Sequence, residues 1–128
     1  MIKAILVDAW NTFVTGGGLF IEMKNILDKF EIKKIILTNA NEEEKVKYGI
    51  VNMPYDVFTL AHEPNKTDPE YYKRMLEHFH LTSEEVIYFE HNAEAVKSAL
   101  SVGIKTFHYN KYTKNIDAVK DFLKKNIE

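Results

Sequence analysis

The chain has 128 residues, 45% of them hydrophobic and 28% charged, with a formal net charge of -2 and no cysteine. That profile predicts one soluble domain, spanning residues 1–128, with a core of its own. It argues against disulfides, thiolate metal sites, membrane spans and nucleic-acid binding by bulk charge. The N-terminus lacks the shape of a signal peptide, because the apolar stretch after Lys3 stops at Asp8, and a cytoplasmic location is expected. Ile2 to Val7 is short, apolar and rich in Ile and Val, which predicts a buried strand. Gly16-Gly17-Gly18 breaks the chain before a predicted helix from about Leu19 to Phe30. Ile35 to Leu37 reads as a second strand ending at Thr38-Asn39, and Asn41 caps a helix whose first turn holds three glutamates. Val57 to Leu60 is a third strand. Thr67-Asp68-Pro69-Glu70 then starts a helix, with Thr67 as its cap, that runs to about Phe79. Val86 to Phe89 is a fourth strand, and Asn92 caps a helix that stops at Gly103. Ile104 to His108 and Ile116 to Asn126 complete the chain as a strand and an amphipathic helix.

Strands separated by helices predict an α/β three-layer sandwich, with a parallel sheet of at least five strands and helices on both faces. Ligands of such folds bind beyond the carboxyl ends of the strands. The residues there are Asp8, Thr38-Asn39, the loop from His62 to Asp68 with Lys66, and Glu90-His91-Asn92. His62 reads as a surface histidine, and Tyr71, Tyr72 and Phe79 as core.

In chain order the sequence resembles the haloacid dehalogenase-like (HAD) superfamily, most of whose members are phosphatases. "LVDAWNT" is similar to the first motif, D-x-D-x-T after hydrophobics, and "IILTN" to the second. "NKTDPEYY" is similar to the third, and "EEVIYFEHNAEAVKSALSVGIKTFHY" to the fourth. The resemblance implies a HAD-like Rossmannoid core. It implies that Asp8 is the nucleophile that accepts a phosphoryl group, that Thr38 bonds that group, and that Lys66 neutralises both. Trp10, Asn39, Glu90, His91 and Asn92 are the implied binding residues around them.

The departures from the pattern set the functional expectation. Trp10 stands where the phosphatases have a second aspartate, and an indole exchanges no protons near neutral pH. General acid–base help is worth roughly 10²–10⁴ in rate. His91 and Ala95 stand where acids hold magnesium. Glu90 lies one residue off, a shift that near a strand end turns a side chain the other way. Histidine is a poor magnesium ligand. Without the metal, Asp8 meets a phosphate dianion unaided, at about 4 kcal/mol for each pair of like charges 4 Å apart. Lys66 is then the clear cation facing Asp8, and a direct ion pair is expected. No metal site and no cofactor are expected, with magnesium binding weak or absent.

The sequence therefore reads as a capless HAD-like domain without ordinary phosphatase activity. It would hold a protein partner or a small phosphorylated or anionic ligand, with no nucleic acid and no membrane. The alternative is an active hydrolase with Asp8 as nucleophile, either a slow phosphatase or a metal-free dehalogenase-like enzyme. "DAWNT" resembles the D-A-Y-G-T of such dehalogenases, but only about two dozen residues separate Asp8 from the second strand, too few for their cap. Trp10 either fills the leaving-group space, offers an aromatic surface or packs into the core.

Overall fold

A computed structural model describes residues 1–127. Strands β1 (Ala4–Asp8), β2 (Val14–Thr15) and β3 (Gly18–Leu19) precede helix α1 (Ile21–Leu27). Then come β4 (Lys33–Thr38), α2 (Glu42–Lys47), β5 (Asp56–Thr59), α3 (Pro69–His78), β6 (Val86–Glu90), α4 (Ala93–Ser101), β7 (Lys105–His108) and α5 (Ile116–Ile127). Five strands pair in the order β5-β4-β1-β6-β7, all parallel.

All five residues of β1 are buried because both faces of the sheet are covered. Ile5 and Val7, with Ile36, Ile87 and Phe89, pack on Met23, Ile26 and Leu27 of α1 and on Val119 and Leu123 of α5. The alternate residues Ala4, Leu6, Ile35, Leu37, Val86 and Tyr88 pack on Tyr71, Tyr72 and Met75 of α3 and on Ala99 of α4. Side chains alternate along a strand, so Asp8, two residues after Leu6, belongs to the α3–α4 side. Glu90, two residues after Tyr88, shares that side.

Local chemistry fixes the ends of these elements. Asn41 accepts from the Glu44 N–H while Glu44 accepts from the Asn41 N–H, a reciprocal cap on α2. Asp68, and not Thr67, caps α3, accepting from the Glu70 N–H with Pro69 as the first helical residue. Asn92 accepts from the N–H groups of both Glu94 and Ala95 at the start of α4. The helix after the glycines is shorter than its sequence pattern, because Gly18-Leu19 pairs with Val14-Thr15 as a hairpin and Phe20 becomes the cap. Strand β6 runs one residue past Phe89, through Glu90, where His108 pairs with it. That added residue changes the site.

Candidate functional site

The strand order reverses at β1, which lies between β4 and β6. In open parallel sheets a crevice forms at such a point, beyond the carboxyl ends of the strands. A cavity of about 250 Å³ opens there, and its wall includes Asp8, Trp10, Thr38, Asn39, Lys66 and His91. Glu90 and Asn92 line it as well, so every candidate residue named from the sequence reaches this one cavity.

Asp8 is 2% exposed and Lys66 5% exposed. The Lys66 ammonium donates to Asp8 Oδ1 at 2.7 Å, to Glu90 Oε1 at 2.7 Å and to the Leu37 carbonyl at 3.3 Å. An ammonium has three N–H donors, and all three find acceptors here. The other Asp8 oxygen, Oδ2, accepts from the Thr12 hydroxyl at 2.7 Å and from the His91 N–H at 3.4 Å, and it also meets His91 Nδ1. The loop after β1 carries Thr12 back to Asp8. The Phe13 N–H bonds the Asp8 carbonyl, the Val14 N–H bonds the Ala9 carbonyl, and Asn11 adopts a left-handed conformation that Asn tolerates.

Glu90 corrects the sequence reading. It does not turn away: it is fully buried, and its side chain shares Lys66 with Asp8. Alternation along β6 explains this, since the strand continues through residue 90 and keeps Glu90 in phase with Tyr88. Glu90 Oε1 also accepts from the Tyr88 hydroxyl, and Oε2 accepts from the Asn92 N–H at 3.0 Å.

Two buried carboxylates around one ammonium titrate very differently. Burial alone would raise Asp8, but the Lys66 charge and the His91 hydrogen bond hold it well below the usual carboxylate range. Glu90 is pushed up to about 7 by burial and by the Asp8 charge, against the pull of Lys66. Burial works against the Lys66 charge, yet the two carboxylates raise its affinity for the proton well above that of an ordinary lysine.

A second polar chain lines the mouth. The Lys66 N–H donates to Asn39 Oδ1 at 2.7 Å, and Asn39 Nδ2 donates to Asn65 Oδ1 at 3.1 Å. Asn65 Nδ2 meets His62 Nδ1 at 3.1 Å, and His62 Nε2 meets Glu44 Oε1 at 2.8 Å. His62 is therefore part of the cavity wall and not an isolated surface histidine. Ala61 and His62 both have positive φ, 51° and 69°, in the loop that delivers this chain. Thr38 is 5% exposed, and its hydroxyl accepts from the Ala40 N–H at 3.1 Å.

Trp10 is half-buried. Its ring lies 4.8 Å from that of Tyr48, centroid to centroid, with the planes 43° apart. It packs on the α1–α5 side of the core and also lines the cavity, so it is both a packing residue and an aromatic wall. Thr12, Glu44, Tyr48, Asn65 and Tyr88 complete the site and were not singled out from the sequence. Asp8, Glu90 and His91 bring three potential ligating atoms within 4.8 Å of one another.

No family model matches the chain, and no curated protein matches its sequence. Solved structures do match. A HAD-superfamily hydrolase of subfamily IA from Geobacter sulfurreducens is 12% identical, with 85% of this chain and 90% of that one covered and a TM-score of 0.66. A HAD family enzyme from Bacteroides thetaiotaomicron, solved as a variant with magnesium and inorganic phosphate, is 14% identical over 87% and 95% of the two chains, with a TM-score of 0.63. The cobalt-bound deoxy-D-mannose-octulosonate 8-phosphate phosphatase of Haemophilus influenzae is 12% identical over 98% and 88%, with a TM-score of 0.55. At these identities the likeness is one of fold, and the chain has the α/β fold of the HAD hydrolases. Among the described residues no helix is long and apolar enough to cross a membrane.

Proposed function

We propose that this chain is a HAD-fold binding domain that holds a small ligand in the cavity beside Asp8 without hydrolysing it. One observation carries the reading. Both oxygens of Asp8 already accept from protein donors, and the Lys66 ammonium directs its three N–H donors to Asp8, Glu90 and the Leu37 carbonyl. Each Asp8 oxygen is thus held in place by the protein, and the Lys66 ammonium keeps no N–H for the oxygens of a transferring phosphoryl group, the charge stabilisation that such a transfer needs. Trp10 supplies no proton at the position where the phosphatases keep a second aspartate.

The donor set also does not suit the magnesium of the fold's phosphatases. Magnesium requires octahedral oxygen ligation at short distance. Here Lys66 bridges the two carboxylates, and a nitrogen, His91 Nδ1, is the atom set against Asp8 Oδ2. Lys66 contacts one oxygen of Asp8 and His91 the other.

Phosphate release from an aryl phosphate with magnesium, and halide release from small 2-haloacids, test this reading together. The expected outcome is no rate above background, and no difference between the native chain and Asp8→Asn. A rate in either assay that Asp8→Asn abolishes makes the chain an active hydrolase.

A further inference from the structure

The charge on the cavity wall runs against an anionic ligand. Asp8, Glu44 and Glu90 line it, against a single ammonium, Lys66, among the described residues. That ammonium is 5% exposed and donates to three protein acceptors, so it offers a bound anion neither a free proton nor an open face. The side-chain amide donor of Asn39 is directed to Asn65, and that of Asn65 to His62. Phosphate recognition depends on free donors converging on the oxygens. The one charged donor on the wall, Lys66, is committed to protein acceptors, and the Thr38 hydroxyl and Asn92 amide that keep free donors carry no charge.

Part of the lining is aromatic and apolar: Trp10, Tyr48 and Ile50, with Glu44 one helical turn before Tyr48. Glu44 is held below the ordinary carboxylate range by hydrogen bonds from the Asn41 N–H and from His62, and both fall on Oε1. An aromatic face attracts a cation through its quadrupole, and tryptophan does so best. The Tyr48 ring already carries such a contact, with Lys47 Nζ 5.5 Å from its centroid, while the Trp10 indole, tilted against Tyr48, lines the cavity with no lysine or arginine over it among the described residues.

We propose that the cavity binds a small organic cation, an ammonium or amidinium on an aromatic or aliphatic body, with its charge toward Glu44 and its body on the Trp10 indole. This rests on the reading of the site as a cavity that binds without hydrolysis. A volume of about 250 Å³ accommodates a ligand of a few carbon atoms or one ring.

Trp10 is the only tryptophan of the chain, so its emission reports on the cavity directly. The experiment titrates the full chain with phenethylammonium and, separately, with phenyl phosphate near neutral pH, and assays the second mixture for released phosphate. Phenethylammonium should change the Trp10 emission saturably, and phenyl phosphate should bind more weakly. Glu44→Gln, which retains the amide oxygen for the α2 cap, should weaken phenethylammonium binding about threefold or more. Glu43→Gln, one residue earlier on the exposed side of α2, should leave it unchanged. No saturable response to phenethylammonium, or an equal loss in the two variants, overturns the proposal. Phenyl phosphate bound at least as tightly and left intact also overturns it, while the reading of a non-hydrolytic site survives. Phenyl phosphate bound and cleaved overturns that reading too.

Discussion

Replacing Lys66 with methionine removes one ammonium while keeping nearly all of its buried volume. Two carboxylates lose their shared partner at once, because Asp8 and Glu90 each sit 2.7 Å from Lys66 Nζ and are 2% and 0% exposed. Removing one partner of a buried ion pair costs about 3–5 kcal/mol, a large share of the roughly 5–15 kcal/mol that holds a domain folded. The loss depends on pH, and its sign follows from the two carboxyls. Native Glu90 titrates at about 7 and the free side chain at 4.5, so between those values the folded chain holds a proton that the unfolded chain has lost. Stability from this group therefore falls as pH rises through that window. Asp8 behaves oppositely: its folded value lies below 3.8, so its stabilisation is complete above that pH and is lost in acid. Without Lys66 both folded carboxyls move upward, and the variant loses stability steeply between about pH 5 and about pH 8. Urea unfolding followed by Trp10 emission and by far-ultraviolet circular dichroism measures this at both pH values. A deficit under about 1 kcal/mol at pH 8, the range of an exposed pair, or a deficit equal at the two pH values, would show that Lys66 does not hold two buried carboxyls.

Glu90→Gln should flatten the decline of native stability between 4.5 and about 7 in the same unfolding series, since the amide cannot titrate. Isothermal calorimetry with millimolar magnesium should register no binding to the native chain. It should register binding after His91→Asp with Ala95→Asp, which removes the imidazole from Asp8 Oδ2 and supplies two oxygen donors.

The central sheet was legible from its short strand runs, and three helices from the polar caps at their starts, whereas the β2–β3 hairpin and the start of α1, where Phe20 makes no side-chain cap, were not. Asn41 and Asn92 cap the helices that their positions indicate. Asp8 and Lys66 were legible as an ion pair because both follow strands of one parallel sheet, and the switch at β1 draws strand ends together. The direction of Glu90 was not legible. It depends on whether β6 ends at residue 89 or 90, and a single residue reverses a side chain. Thr12 is the threonine of the first motif, but its bond to Asp8 was not legible, because that approach is a property of the loop with left-handed Asn11, not of a sequence period. The chain from Glu44 through His62 and Asn65 to Asn39 joins helix α2 to two connections of the fold, β5–α3 and β4–α2. No local pattern encodes such a meeting, since each residue taken alone reads as a solvated polar side chain.

The central claim is that Asp8 is a structural carboxylate held by Lys66, Thr12 and His91, and not a nucleophile. Covalent trapping tests it most directly. The chain is incubated with an aryl phosphate and magnesium, quenched in acid and treated with borohydride, which reduces an acyl phosphate to the alcohol, and the peptide containing Asp8 is then weighed by mass spectrometry. Asp8 should stay unmodified at every time point. A reduced or phosphorylated Asp8 would contradict it, because that product forms only when one of its oxygens is free to attack phosphorus.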